Sequence, residues 1–181
     1  NEQLEVVGRI HNIDKQKWLE NEANLDDLTR LYNRRYMNEK MQQILDEEDG
    51  GALIMMDIDS FKAINDNFGH EEGDKVLAML ANLLVDHFRK EDLICRVGGD
   101  EFLVFMRYIC NESIIHTRCE RLLKAFCKKT RKYRPTAKPS LSIGVAMVHP
   151  NCSTVEQLYR RADEMLYQVK RSGKNGIKIQ P

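Results

Sequence analysis

Apolar and polar positions alternate along this chain with two periods, and the switches between them mark its elements. Residues 4–13 carry apolar positions around Gly8 and predict a short strand. Residues 14–26 favour helix, with Trp18 and Leu25 seven apart, a spacing compatible with a coiled-coil linker. Helix is predicted again over 29–45, closed by Asp49-Gly50-Gly51. Five consecutive apolar residues then run into Asp57 and Asp59, the pattern of a buried strand over 52–59. Leu77, Leu80, Ala81, Leu84 and Phe88 fall on one face of a helix over 72–89. Apolar runs at 93–97 and 101–106 flank Gly98-Gly99-Asp100, a tight hairpin signal.

The C-terminal third continues the alternation. Residues 112–132 read as helix and 141–148 as strand. Ser153-Thr-Val-Glu156 has the form of a capping box, opening a helix with Val155, Leu158, Ala162, Met165, Leu166 and Val169 on one side. Gly173 stops that helix, and residues 177–179 suit a last edge strand. Interleaved strands and helices imply an α/β or α+β domain built on one central sheet.

Composition narrows the function classes. The 181 residues suffice for one domain with a short extension, 42% are hydrophobic and 31% charged, and 28 basic residues balance 28 acidic ones. A net charge of zero argues against a dedicated nucleic-acid binder. The longest apolar run, residues 76–81, is far too short for a membrane span. Five cysteines, at 95, 110, 119, 127 and 152, are odd in number and lack CxxC spacing. They suggest neither a disulfide framework nor a zinc site, and a reducing cytoplasm is the simplest location.

Two stretches carry candidate chemistry. In Asp57-Ile-Asp59-Ser-Phe-Lys62-Ala-Ile-Asn65-Asp66, carboxylates end a buried strand, where they require compensation. Magnesium held together with nucleotide phosphates would supply it; capping of the next helix is the alternative. Lys62 could meet phosphate, and Asn65 offers a donor and an acceptor to a base edge. In Gly98-Gly99-Asp100-Glu101, the glycines permit close backbone approach of a ligand, and the two acids of an extended strand point to opposite faces.

Together these pieces resemble the GGDEF domain, the diguanylate cyclase family. Gly98-Gly99-Asp100-Glu101-Phe102 spells its signature. Asp26-x-Leu28-Thr29-x-Leu31-x-Asn33-Arg34-Arg35 resembles its opening motif. The run from Asp57 to Asp66 with Gly69-His70 and Gly73-Asp74 resembles its nucleotide site, and Ala162-Asp163-x-x-Leu166-Tyr167, Lys170 and Gly173-Lys174-Asn175 its closing helix. The likeness covers residues 24–179 in order. It departs at Arg30, where the family usually has glycine, and at Lys174, where arginine is common and would grip phosphate with a planar fork.

The resemblance implies a palm-like nucleotidyl cyclase fold with a mostly antiparallel central sheet. It implies that Asp57, Asp100 and the carbonyl of Ile58 hold Mg2+ or Mn2+, with Glu101 either a further ligand or the base at the 3′-hydroxyl. Asn65 and Asp74 would read guanine, with His70 and the Gly98-Gly99 turn nearby. Backbone amides of Phe61 and Lys62 and the side chains of Lys62, Lys170 and Lys174 would cradle the β- and γ-phosphates. Two GTP-loaded domains must face each other, as a homodimer, to make cyclic di-GMP. Arg89-x-x-Asp92 stands where the family binds product as an inhibitor, with Arg121 a further arm; a solvated helix end is the other reading. Residues 1–23 would be the tail of an upstream sensor domain, of PAS type, with its linker helix, and the domain would lie in the cytoplasm or at the cytoplasmic face of a membrane. The competing function is a catalytically silent module binding GTP or cyclic di-GMP, and a third is a cyclase using ATP; retention of the signature acids favours the enzyme.

Overall fold

The computed structural model describes residues 22–47, 50–149, 152 and 154–180. The strand expected at 4–13 and the heptad around Trp18 lie outside these residues. The elements are β1 (Tyr32–Asn33), α1 (Arg34–Glu47), β2 (Gly51–Asp59), α2 (Phe61–Phe68), α3 (His70–His87), β3 (Leu93–Gly98), β4 (Glu101–Arg107), α4 (Glu112–Lys129), a 3-10 turn (Arg131–Tyr133), β5 (Ser140–Met147), α5 (Val155–Arg171) and β6 (Gly176–Gln180).

Six strands form one mixed sheet in the order β1-β3-β4-β2-β5-β6. The four central strands are antiparallel, whereas β1 and β6 join β3 and β5 in parallel at the two edges. The alternating side chains of β2 serve two cores at once. Ile54, Met56 and Ile58 pack with Ile64, Leu77, Leu80, Leu122 and Phe126 on the face covered by α2, α3 and α4. Leu53 packs with Leu103, Phe105, Met37, Met41, Leu158 and Ala162 on the face covered by α1 and α5. A strand buried on both faces reads as an unbroken apolar run, which is why residues 52–56 lack alternation.

The structure differs from the sequence expectation at three helix ends. Helix does not begin at Thr29: Asp26 accepts hydrogen bonds from the Thr29 N–H (2.8 Å) and hydroxyl (2.6 Å), folding 26–30 into a turn before β1. The helix expected to reach Lys132 ends at Lys129 and tightens into the 3-10 turn. The capping box of α5 is formed one residue later than its sequence form suggested, with the Thr154 hydroxyl accepting from the Gln157 N–H and the Gln157 side-chain oxygen Oε1 accepting from the Thr154 N–H. Threonine and glutamine serve this motif as well as serine and glutamate.

Helix α5 sits on the sheet because β5 has no side chain where the two cross. A Cβ at Gly144 would run into the Ala162 carbonyl and the Leu166 backbone N–H, and would stand 2.8 Å from the Leu166 Cα. These obstructions are backbone, so no rotamer change relieves them. Gly144→Ala is therefore expected to destabilise the domain by about 3 kcal/mol, the upper end for overpacking. Urea denaturation checks it; a loss within ~0.5 kcal/mol, the range of neutral surface changes, would show that α5 retreats freely.

Candidate active site

The site assembles where β2 ends. Asp57 lies directly opposite Glu101 on β4 and Ser142 on β5, so these positions share the face covered by α1 and α5. Its carboxylate pairs with the Lys170 ammonium of α5 at 2.7 Å. Asp59, two residues on, is 3% exposed and accepts from the Ser140 hydroxyl (2.6 Å), the Ser142 hydroxyl (2.8 Å) and the Asn175 N–H (3.1 Å). Neither acid caps α2, whose N-cap is Ser60 without a side-chain bond. Asp59 is a structural carboxylate that ties the 173–175 turn to the sheet, and Asp57 remains as the acid facing the site.

The glycine turn brings Asp100 against this strand end. Gly98 and Gly99 adopt φ of 151° and 55°, the latter in the left-handed region that glycine enters without strain. The Asp100 carbonyl accepts from the Ile58 N–H at 3.3 Å, tying the turn to β2. Arg96 braces it from the other side: its guanidinium donates to the Gly99 carbonyl (2.9 and 3.1 Å) and to both Asp26 oxygens (3.1 and 3.2 Å). Sequence reasoning missed Arg96, although it stands two residues before the turn. Burial and then the neighbouring Asp57 carboxylate push the Asp100 pKa above its ordinary value, with Lys170 pulling the other way.

Asn65 on α2 lies against Gly73 on α3, and a Cβ at Gly73 would collide with the Asn65 side-chain oxygen Oδ1. That oxygen is buried and has no hydrogen-bond partner among the described residues. His70 opens α3 and is exposed, as is Asp74 one turn on. Lys62 is exposed in the first turn of α2, next to half-buried Phe61. Lys174 lies beyond α5 at φ 67° and lines a cavity of about 580 Å³ with Ser60, Arg134 and Lys138.

Arg89 and Asp92 lie in the connection between α3 and β3 and differ from each other in setting. Asp92 is 6% exposed and accepts from the Arg89 N–H (2.8 Å) and the Arg107 N–H (3.2 Å), with the Arg118 guanidinium at 3.5 Å. The reading of this pair as a solvated helix end is corrected for Asp92, whose carboxylate anchors the turn. Arg89 and Arg121 are exposed and line one cavity of about 620 Å³ together with Arg118. Arg118 was missed; its spacing of three from Arg121 on one helix was the available signal.

As a cation site, the strand end offers two hard carboxylates and a backbone carbonyl. Among the described residues no group of three or more His, Cys, Asp or Glu side chains gathers closely enough to hold a metal by itself. Asp57 beside Asp100 suits magnesium or manganese, which take one or two carboxylates and complete their shell with phosphate and water. No helix among the described residues is long and apolar enough to cross a membrane.

A mixed sheet thus carries acids at the end of a central strand, a glycine hairpin beside them and a lysine of the flanking helix α5 against them. The family model for "Diguanylate cyclase, GGDEF domain" matches residues 23–176. The chain is 37% identical over 158 residues to the response regulator PleD of Caulobacter vibrioides, covering 84% of this chain and 35% of PleD. It is 34% identical over 167 residues to the diguanylate cyclase DgcS of Shewanella oneidensis, covering 88% of this chain and 54% of DgcS. It thus spans only about a third to a half of the length of these relatives. Its fold matches the GGDEF domain of DgcB from Caulobacter crescentus, solved in complex with c-di-GMP, with a TM-score of 0.78 and 27% identity over 87% of this chain and 95% of that one. The chain belongs to the GGDEF diguanylate cyclase family.

The raised Asp100 pKa has a measurable consequence. The folded chain binds this proton more tightly than the unfolded chain, so stability falls as pH rises from the ordinary aspartate value of about 3.9 through the raised folded value, and stays lower above it. Asp100→Asn removes that penalty. With metal chelated, the variant is expected to melt higher than the native protein at pH 7, and the gap should close below pH ~4. Equal melting temperatures at neutral pH would mean that Asp100 carries no electrostatic strain.

Proposed function

We propose that this chain is a diguanylate cyclase that condenses two GTP into cyclic di-GMP and two pyrophosphates. The observation that carries the reading is the meeting of two acids at the end of β2, where Asp57 lies opposite Glu101 and the Asp100 carbonyl accepts from the Ile58 N–H at 3.3 Å. Structural acids are partnered, as Asp59 is; Asp57 and Asp100 are instead gathered beside a single lysine. Asp57, Asp100 and the Ile58 carbonyl would hold Mg2+ or Mn2+, which when bound offsets charge on the phosphates and lowers the pKa of an attacking hydroxyl.

The chain's own groups do the rest. Asn65 and Asp74 orient guanine: a carboxylate accepts from the ring N–H and exocyclic amine, and the unpartnered Asn65 oxygen supplies another acceptor. Leaving such an acceptor unpaired costs roughly 1–3 kcal/mol, so a base N–H is a natural occupant. The first-turn amides of α2 at Phe61 and Lys62, with the Lys62 and Lys174 side chains, hold the phosphate tail, and Lys170 contributes positive charge beside Asp57. Glu101, exposed and opposite Asp57, takes the 3′-hydroxyl proton or joins the metal shell. In each half-reaction a 3′-oxygen–phosphorus bond forms, the bond from that α-phosphorus to pyrophosphate breaks, and the hydroxyl proton leaves. One site holds one GTP, so two copies meet face to face, aligned as reactants rather than by collision.

Incubation with GTP and magnesium, followed by mass spectrometry of the products, tests this. Cyclic di-GMP is expected from the native chain and none from Asp57→Asn, whose neutral amide cannot match a carboxylate at the metal. Bound but unreacted GTP at high protein concentration would instead identify a silent binding module.

Arg89, Arg118 and Arg121 around one cavity support product inhibition, since guanidinium forks suit both phosphate and the Hoogsteen edge of guanine. Arg89→Ala should keep making product at cyclic di-GMP concentrations that stall the native chain. Progress curves with added product check this; equal inhibition of both proteins would remove Arg89 from the site.

A further inference from the structure

Beside the phosphate cradle lies a cavity of about 580 Å³ whose rim includes Ser60, Lys174, Arg134 and Lys138. Arg134 and Lys138 belong to the loop between the 3-10 turn and β5, outside every motif that carries the family resemblance. Neither they nor Lys174 are paired with a carboxylate among the described residues. The acid at the floor, Asp59, is buried and accepts three hydrogen bonds from neutral donors, so it sets one carboxylate against the three cations of the rim. Their neighbour Lys132 contrasts with them: it reaches Glu72 at 2.5 Å.

The backbone holds two of these cations, Lys138 and Lys174, in place at a conformational cost. Lys138 has φ 47° directly before Pro139, where sterics favour extended backbone. Lys174 and Asn175 are also left-handed, at 67° and 50°. Side chains retained in such conformations collect at ligand clamps. Three cations against the single carboxylate of Asp59 leave an excess of positive charge around the cavity, which an anion would offset. Because Ser60 immediately precedes the Phe61 and Lys62 amides, the cavity continues the path of a triphosphate away from the strand end.

We propose that Arg134 and Lys138 are positioning residues that, with Lys174, clamp the terminal phosphates of the nucleoside triphosphate and so select a triphosphate over a monophosphate. The inference rests on the reading of this site as a GTP site. The guanidinium grips one phosphate with two parallel N–H donors, and the two ammonium groups add point charges. The clamp aligns the leaving pyrophosphate without touching the acids that bind metal.

Calorimetric titration of the native chain with GTP and with GMP, in magnesium buffer, measures the preference directly. In Arg134→Ala/Lys138→Ala the preference for GTP over GMP should fall by about tenfold or more, with GMP affinity unaltered. Arg134→Lys/Lys138→Arg should retain most of it, and Lys40→Ala/Lys124→Ala, which removes the same charge elsewhere, should retain all of it. In turnover, the alanine variant should raise KM for GTP more than it lowers kcat. A native chain that does not bind GTP would defeat the functional reading itself. A native chain that binds GTP beside an alanine variant with undiminished preference, or a control variant with equal loss, would overturn the clamp alone. Thermal melting of the variants separates loss of contact from loss of fold, and inorganic tripolyphosphate competing with GTP in the native but not the alanine variant gives a second readout.

Discussion

A central strand buried on both faces has to end somewhere, and here it ends in charge. The apolar part of β2 holds two cores together, so its position is set by packing and cannot move to suit the acids that follow. Asp57 is thereby carried to a half-buried position and Asp59 to a buried one, where an uncompensated carboxylate is costly. The surroundings answer each differently. Asp59 receives two hydroxyls from β5 and a backbone N–H from the turn after α5, and becomes the clasp between three elements. Asp57 receives one mobile ammonium and a second acid, Asp100, a balance that a divalent cation with phosphate would complete.

The glycine hairpin gains its precision from an arginine rather than from its glycines. Gly98 and Gly99 permit the turn, but permissive residues alone leave many turns open. Arg96 restricts it, with two donors on the Gly99 carbonyl and one on Asp26, while Asp26 in turn folds its own Thr29 turn. The opening motif and the signature motif are therefore one hydrogen-bonded unit. Arg30, where the family usually has glycine, sits within that unit at φ 59°, which explains the preference for glycine; here its guanidinium forms a double contact with Glu22. Lys174 repeats the pattern, a left-handed non-glycine residue directly after Gly173.

Charge is also distributed by function over the surface. Glu72, on α3 next to Gly73 and Asp74, has its pKa held down to about 2 by Lys132, Lys75 and Tyr133, and fastens α3 to the 3-10 turn. Among the described residues, cations without a carboxylate partner also line the two large cavities, at Arg134, Lys138 and Lys174 on one side and Arg89 and Arg121 on the other. A protein of zero net charge can therefore present two local clusters of positive charge, a distinction that net charge conceals.

How much was legible in the sequence follows from how local each signal was. The buried strand at 52–59, the one-sided helix at 72–89, the Gly-Gly hairpin and the Gly173 stop depend on neighbours a few residues apart, and the elements β2, α3, β3–β4 and α5 answer to them. The family motifs located Asp57, Asp100, Asn65 and Lys170 by residue type and order. Partnership, by contrast, was settled by long-range packing. Asp59 carries the same chemistry as Asp57, yet it bonds residues 81, 83 and 116 positions away, so no local pattern could mark one as structural and the other as available. Arg96 meets Asp26 across 70 residues, Asp92 is buried by β4 and α4, and Arg134 joins Lys174 only because β5 and α5 return to the same sheet edge. The sequence by itself determined which residues could do chemistry; the sheet, by fixing which of them were already satisfied, decided which are left to do it.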